Sequence, residues 1–263
     1  MNQSQNKVLR MFYACLLLFF VSSPLFASGI SGGAMTINFD NRALANAFTH
    51  NTDPNRPAFY LEEYFSSSAY QNLSDAQLLT THFVPGTQEI SAIGRQLMVN
   101  GPTVSGRNKA TDFSFDNSDI VGTATGVVGL GGAFRFRIDV PFNLNNGEEE
   151  GNRTIIGDFT LEYDSAGEVN GHSGWTLFNH VGWRADVFDL DNVVINLSSN
   201  NLLLTGSLAL GEGVSHLGGN TGAIVGDFSF QTSVVPVPAA VWFFITGLGG
   251  LLLSRHSKRA IVL

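Results

Sequence analysis

The stretch Ala133-Phe134-Arg135-Phe136-Arg137-Ile138-Asp139-Val140 alternates apolar and charged residues through its centre. Side chains two apart share one face of a strand, whereas a helix would scatter these aromatics around its surface. The run therefore predicts a strand with Phe134, Phe136 and Ile138 on one side and Arg135, Arg137 and Asp139 on a wet side. Comparable runs at 34–39, 113–115, 121–128, 153–163, 174–180, 185–190, 193–197, 202–210 and 223–230 are rich in β-branched and aromatic residues, with turn signals between them. Many short strands joined by glycine-rich turns predict an all-β fold: a β-sandwich or jelly-roll-like body over residues 28–233.

Local signals refine that body. Ser74-Asp75-Ala76-Gln77 has the form of a capping box and predicts a short helix. Tyr60–Tyr64 reads as a second helical turn, and Asn51–Pro57 as loop. Asn145–Gly151 reads as a hairpin-type loop, and Val187–Val194 as two short strands around a tight turn. The glycine run Gly126–Gly132 follows a predicted strand. A phosphate cradle would need a helix next, but the Phe134–Phe136 strand follows, so a bend or bulge is expected.

Charge is unevenly distributed. All 22 acidic residues lie between Asp40 and Asp227, with nine of the 14 basic ones, a net of −13 for that segment. Such a body repels nucleic acid and anionic lipid. The single cysteine, Cys15, sits in an apolar N-terminal stretch, so no disulfide can form within the chain. Lys7 and Arg10 precede an apolar core at Met11–Val21, and Ser22, Ser23 and Pro24 break it. That order is a secretory signal, with cleavage expected between Ala27 and Ser28.

The other end is equally patterned. Val235-Pro236-Val237-Pro238 must be extended, because each proline fixes its own φ and restricts its predecessor. Residues 239–253 are uncharged and contain Trp242. Arg255, Lys258 and Arg259 follow as a basic stop. A run of 15 residues is shorter than the roughly 20 of an ordinary span. It can still cross with the basic end held in the cytoplasm, which places the body outside.

An exposed proline motif, a short span and a basic stop together resemble the PEP-CTERM sorting signal of Gram-negative bacteria, in the variant without the glutamate. The residues that carry the resemblance are Val235, Pro236, Pro238, Ala239, Ala240, Trp242, Gly247-Leu248, Arg255, Lys258 and Arg259. In this chain the basic cluster is spread as Arg-His-Ser-Lys-Arg and four further residues follow it. The resemblance covers residues 234–259, about a tenth of the chain. It implies export, a membrane intermediate, processing by an exosortase-type enzyme, delivery to the cell surface or matrix, and association with exopolysaccharide and biofilm.

Catalytic chemistry is poorly represented. Gly171-His172-Ser173-Gly174-Trp175 lacks the spacing of a nucleophile elbow. The six histidines are scattered, without helical metal-ligand spacing. Asp186, Asp189 and Asp191 cluster on a predicted strand pair and are the candidate oxygen ligands for calcium, as are Glu148–Glu150; neither group follows an EF-hand pattern, and solvated carboxylates are the other reading. Tyr163, Trp175 and Trp183 offer either a sugar platform or core. The expected protein is an exported, non-catalytic matrix component without a cofactor. A carbohydrate-active hydrolase and a plainly membrane-anchored binding ectodomain are the alternatives.

Overall fold

The computed structural model describes residues 27–48, 59–67, 72–80, 89–138, 153–168 and 171–236. Most of the signal segment, the 51–57 and 145–151 loops, the 239–253 run and the 255–259 stop lie outside them. The chain divides into one unit from Gly29 to Val235 and another made of Met1–Ser28 with Pro236–Leu263. The barrel is the first unit.

Its strands are β1 (Ala27–Phe39), β2 (Phe59–Ser66), β3 (Arg95–Val99), β4 (Ser114–Asp116), β5 (Val128–Ile138), β6 (Arg153–Tyr163), β7 (Trp175–Asn179), β8 (Ala185–Leu197), β9 (Asn201–Leu210) and β10 (Ile224–Pro236). They are accompanied by short helices α1 (Asn41–Asn46), α2 (Asp75–Thr80) and α3 (Ile120–Thr123). The all-β expectation holds. The sandwich does not: β1, β3, β5, β6, β7, β8, β9 and β10 follow one another in the sheet, and β10 pairs back onto β1. The result is a closed eight-stranded barrel. Closure hydrogen-bonds the first strand to the last and removes the open edges that two sandwich sheets would keep.

The seam depends on close approach. Asp40 N–H donates to the Val225 carbonyl at 2.8 Å, and Thr232 Oγ1 donates to the Gly32 carbonyl at 2.5 Å. Between these points Gly33 has φ +106°, and a Cβ there would lie 2.2 Å from the Gln231 carbonyl oxygen. Farther along, Asn38 faces Gly226. The two strands therefore run in opposite directions.

Aromatic side chains fill the interior. Phe39 meets Phe134 and Phe136 edge-on, with centroids 5.3 and 5.6 Å apart. This is the favoured geometry for aromatic quadrupoles. One end is plugged by Leu44 of α1 and by Val214 and Leu217 of the 3-10 helix Glu212–Leu217, against stacked Phe48 and Phe59. The residual space among them is about 10 Å³, at the threshold for a single water. The other end is closed by Phe113, which packs against both Phe115 and Trp175. Among the described residues, side chains fill the barrel interior.

Several local expectations are corrected. Tyr60–Tyr64 is strand, because β2 pairs with β5 from Phe59↔Ile138 to Ser66↔Gly132. The 121–128 run is not one strand: Asp119 caps α3 over its first part, and only Val128 enters β5. The predicted pair 185–190 and 193–197 is one strand, β8, with a register shift between Asp191 and Val194 and Asn192 at φ +52°. Asn192 absorbs the bend as a bulge, so no reversal occurs. Strand β3 and helix α1 were not expected from the sequence. The capping box is present: Ser74 N–H donates to Gln77 Oε1 at 2.8 Å, and Gln77 N–H to Ser74 Oγ at 3.2 Å. The glycine run contains the expected bulge, with β5 and β6 changing register between Leu130 and Ala133.

The largest correction concerns the wet face of the opening motif. Arg135 is fully buried. Helix α2 lies across this face, and Leu78 and Leu79 pack with Phe65, Ala133, Ile155 and Val181 in a second apolar cluster. Beneath it, Glu62 accepts from Arg135 Nε at 2.9 Å and from Arg153 Nε at 2.6 Å. Arg135 Nη1 also donates to the Leu78 carbonyl at 2.9 Å. At the other end of α2, Arg107 joins Asp75 at 2.8 Å to buried Asp158 at 2.9 Å. Two arginines thus grip α2 at its two ends.

Candidate functional site

A groove of about 470 Å³ opens at the barrel end that carries α1. Three sequence-distant segments form it: the β1–α1 junction (Asn38, Phe39, Asp40, Asn41), Ser91–Ile93, and Gly226–Asp227 at the start of β10. Its walls are tied together. Asn38 Nδ2 donates to Asp227 Oδ1 at 2.7 Å, and Gly94 N–H donates to Asn38 Oδ1 at 2.8 Å. Phe39 N–H donates to the Ala92 carbonyl at 3.0 Å, and Arg95 Nε to the Ser91 carbonyl at 2.8 Å. Asp40 caps α1, its Oδ1 accepting from the N–H groups of Arg42 and Ala43, both at 2.9 Å. Asn41 Oδ1 is buried with no hydrogen-bond partner. Ile93 stands on the rim, 65% exposed.

A second polar region covers the outside of β6, β7 and β8. Thr160 Oγ1 lies 2.9 Å from His180 Nε2 and donates to Glu162 Oε1 at 2.6 Å. Arg184 pairs with Glu162 at 2.9 Å and stacks over Phe178, 3.9 Å from the ring centre. Burial, with Lys109 and Arg184 nearby, lowers the His180 pKa to about 4, with Glu162 opposing the shift. His180 is therefore neutral at pH 7. An unfolded chain binds a proton there near the ordinary value of 6.5, so the stabilising contribution is complete above that pH and is lost as pH falls toward about 4. The expected result is a denaturation midpoint that drops between pH 6.5 and 4, and a flatter profile for His180→Gln. Denaturant titrations across that range check it.

The sequence candidates can now be located. Asp189 accepts from Thr176 Oγ1 at 3.2 Å, and burial, with Asp186 and Asp191 nearby, raises its pKa against the Thr176 bond and His172. Asp191 is 3.1 Å from His172 Nδ1. Among the described residues no group of three or more His, Cys, Asp or Glu side chains is arranged to hold a metal ion. Ser173 Oγ donates to the Leu190 carbonyl, directing the hydroxyl away from nucleophile duty. The aromatic platform is not assembled: Trp175 is core, against Phe113 and Tyr163, while Trp183 meets His216 edge-on.

Of the processing residues, Ala27 and Ser28 open β1, and Val235 and Pro236 close β10. Val237, Pro238, Trp242, Arg255, Lys258 and Arg259 lie outside the described residues, as do Glu148–Glu150. Among the described residues no helix is long and apolar enough to cross a membrane. Sequence reasoning missed the groove residues Asn38, Asn41, Ser91 and Asp227. Its one usable signal was Asp40-Asn41 at the end of a strand, a helix-capping pattern.

Fold and groove together define an antiparallel β-barrel with a cleft of mixed polar and apolar lining at one end. No protein-family model matches the chain, and no curated protein matches it. Among solved structures, the C-terminal domain of HtaA from Corynebacterium glutamicum is similar at 13% identity, over 79% of this chain and 99% of that one, with a TM-score of 0.36. A likeness of that size carries no argument about function.

Proposed function

We propose that this is an exported, surface-sorted, non-catalytic component of the extracellular matrix, associated with exopolysaccharide and processed at its C-terminal motif by an exosortase-type enzyme. The observation that carries the reading is the polarity of the barrel. Gly29 and Val235 lie on neighbouring, oppositely directed strands, so the body begins and ends at one end of the barrel, and the groove opens at the other. Both termini of the body thus lie at the end of the barrel opposite the groove.

The seam also bears on where processing can fall. Val234 is buried, its N–H donates to the Asn200 carbonyl at 2.9 Å, and Thr232 is buried beside β1. A cut before Val234 would strip residues from the closing strand, so the expected site lies beyond Val235. The hydrolase alternative would look to Asp40 and Asp227 as an acid–base pair. Both already accept structural hydrogen bonds through one oxygen, which favours binding over turnover.

Intact mass of the protein from its native cell surface tests sorting. The expected species lacks residues 1–27 and everything from the Val237–Pro238 region onward. The variant Pro236→Ala/Pro238→Ala should remain in the membrane fraction with its tail. A wild-type mass that extends to Leu263 would reject sorting in favour of a plain membrane anchor.

A further inference from the structure

We infer that the free edge of β8 over residues 193–197 is a docking site for a second copy of this chain. The two edges pair as antiparallel strands about a two-fold axis at Ile195. The inference is independent of export and sorting and stands or falls apart from them.

The barrel wall lacks a strand here. β8 runs from Ala185 to Leu197, but its ladder with β7 ends at Trp175↔Leu190. The loop leading into β7 reaches Asp191, through His172 Nδ1 at 3.1 Å. Beyond that point β9 is the only described strand that pairs with β8. Ser198 N–H donates to the Asn201 carbonyl at 2.8 Å, so the Ser198 backbone faces β9. Backbone direction alternates along an antiparallel strand. Asn196 and Val194 therefore face β9 too, and the N–H and C=O groups of Val193, Ile195 and Leu197 face away from it. Among the described residues these groups have no backbone partner. Their side chains pack against the core but are only partly buried, whereas Leu202 and Leu204 across the β9 ladder are buried. The neighbour that would cover the β8 side chains is missing. On the outer face Val194 is 55% exposed.

The occupant follows from charge and register. Open sheet edges are ordinarily guarded by lysine, proline or an inward charge. Residues 192–201 contain no proline and no charged side chain. A cationic partner finds no carboxylate on this strip, and the acidic body repels an anionic one. A copy of the strip itself fits. With Ile195 opposite the partner's Ile195, Val193 falls opposite the partner's Leu197, and Asp191 opposite the partner's Ser199. The three residues with free backbone groups then exchange N–H···O=C bonds with the same three in the partner, so every free group is used. Aliphatic side chains meet on the inner face and Val194 meets the partner's Asn196 on the outer one, and no carboxylate opposes another. Antiparallel pairing points the two barrels in opposite directions along the shared strands, so they extend away from each other. The paired edge is about 17 Å long. Such a short contact makes a weak dimer that dissociates on dilution.

The test is sedimentation equilibrium of the full chain in density-matched mild detergent, with amide hydrogen exchange in parallel. A monomer–dimer equilibrium is expected, shifted toward dimer as salt screens the two like-charged bodies. The Ile195 and Leu197 amides should exchange slowly in concentrated samples and freely in dilute ones. Val194→Lys/Asn196→Lys sets lysine opposite lysine across the interface, at positions already exposed. It should weaken association by about tenfold or more, with an unchanged melting temperature. Val194→Glu/Asn196→Glu should do the same, and an equimolar mixture of the two variants should recover the dimer, because each lysine then faces a glutamate. Gln231→Lys, exposed on β10, should associate like wild type. A monomer at every concentration and salt overturns the inference. Association that survives the lysines, or that the mixture fails to restore, overturns the edge assignment and moves the contact to another surface. Slow exchange of the two amides in a dilute monomer would mean that a segment of the same chain covers the edge, and overturns the second copy as its occupant.

Discussion

Glu62→Gln is expected to cost this barrel about 3–5 kcal/mol, a large part of an ordinary folding free energy. The carboxylate is completely buried and answers two buried guanidiniums, those of Arg135 and Arg153, with Arg137 3.6 Å away. Arg153 engages it through two nitrogens, Nε at 2.6 Å and Nη2 at 2.9 Å. The amide keeps the shape and one acceptor but removes the negative charge that faces them. Desolvated cations cannot shed a proton at any ordinary pH when they are guanidiniums, so the penalty stays. In a domain of this size such a loss lowers the melting temperature by on the order of 10 °C. The triple variant Glu62→Leu/Arg135→Met/Arg153→Met should recover much of it, because an apolar cluster of similar volume needs no counter-charge. Thermal melts followed by circular dichroism decide the matter: an unchanged midpoint for Glu62→Gln would mean that water reaches the network.

Gly33→Val should prevent the barrel from closing. The new Cβ would fall within 2.2 Å of the Gln231 carbonyl oxygen, and the position has φ +106°, where side-chain-bearing residues are strained. Backbone strain and a displaced seam together amount to about 3 kcal/mol or more. Gly32→Ala is the matched comparison. It has φ +64° with nothing within 4 Å of the added carbon, so it carries strain without collision. The valine variant should lose near-ultraviolet aromatic signal and become protease-sensitive near Thr232, while the alanine variant stays folded. Equal behaviour of the two would show that the β1–β10 seam is not what holds the ends of the body together.

Much of the strand pattern was readable along the chain. β6 falls on the predicted Arg153–Tyr163, β7 is one residue shorter than its predicted range at each end, and β9 starts one residue earlier than predicted. These segments follow a period of two, which depends only on near neighbours. β2 was misread because of a bulge. Leu61 pairs with Phe136 and Glu63 with Arg135, so Glu62 is an extra residue and the alternation changes phase inside the strand. Phe65 consequently lies in the outer cluster under α2, whereas Leu61 lies in the barrel core. The buried Arg135 was unreadable for a related reason: its cover is a helix more than 50 residues earlier in the chain.

The candidate groove was less legible still. Asn38 bonds to Asp227 across 189 residues, and to Gly94 across 56. No spacing rule links such positions. Residue type alone could not set them apart from the Asp186–Asp191 cluster, which sequence reading preferred and whose side chains lie on β8 beside Thr176 and His172.

What the sequence determined by itself is local: an all-β body built on period-two runs, a capped helix at Ser74, a bulge in the glycine run, and the expectation of export and sorting drawn from the two ends. Only the tertiary structure decided that the sheet closes, which arginines are buried, and which distant segments meet at the groove. Alternation and capping are short-range steric and hydrogen-bonding effects, complete within a few residues. Closure and burial depend on pairings such as Gly32 with Thr232, 200 residues apart, whose free energy exists only once the whole chain has come together.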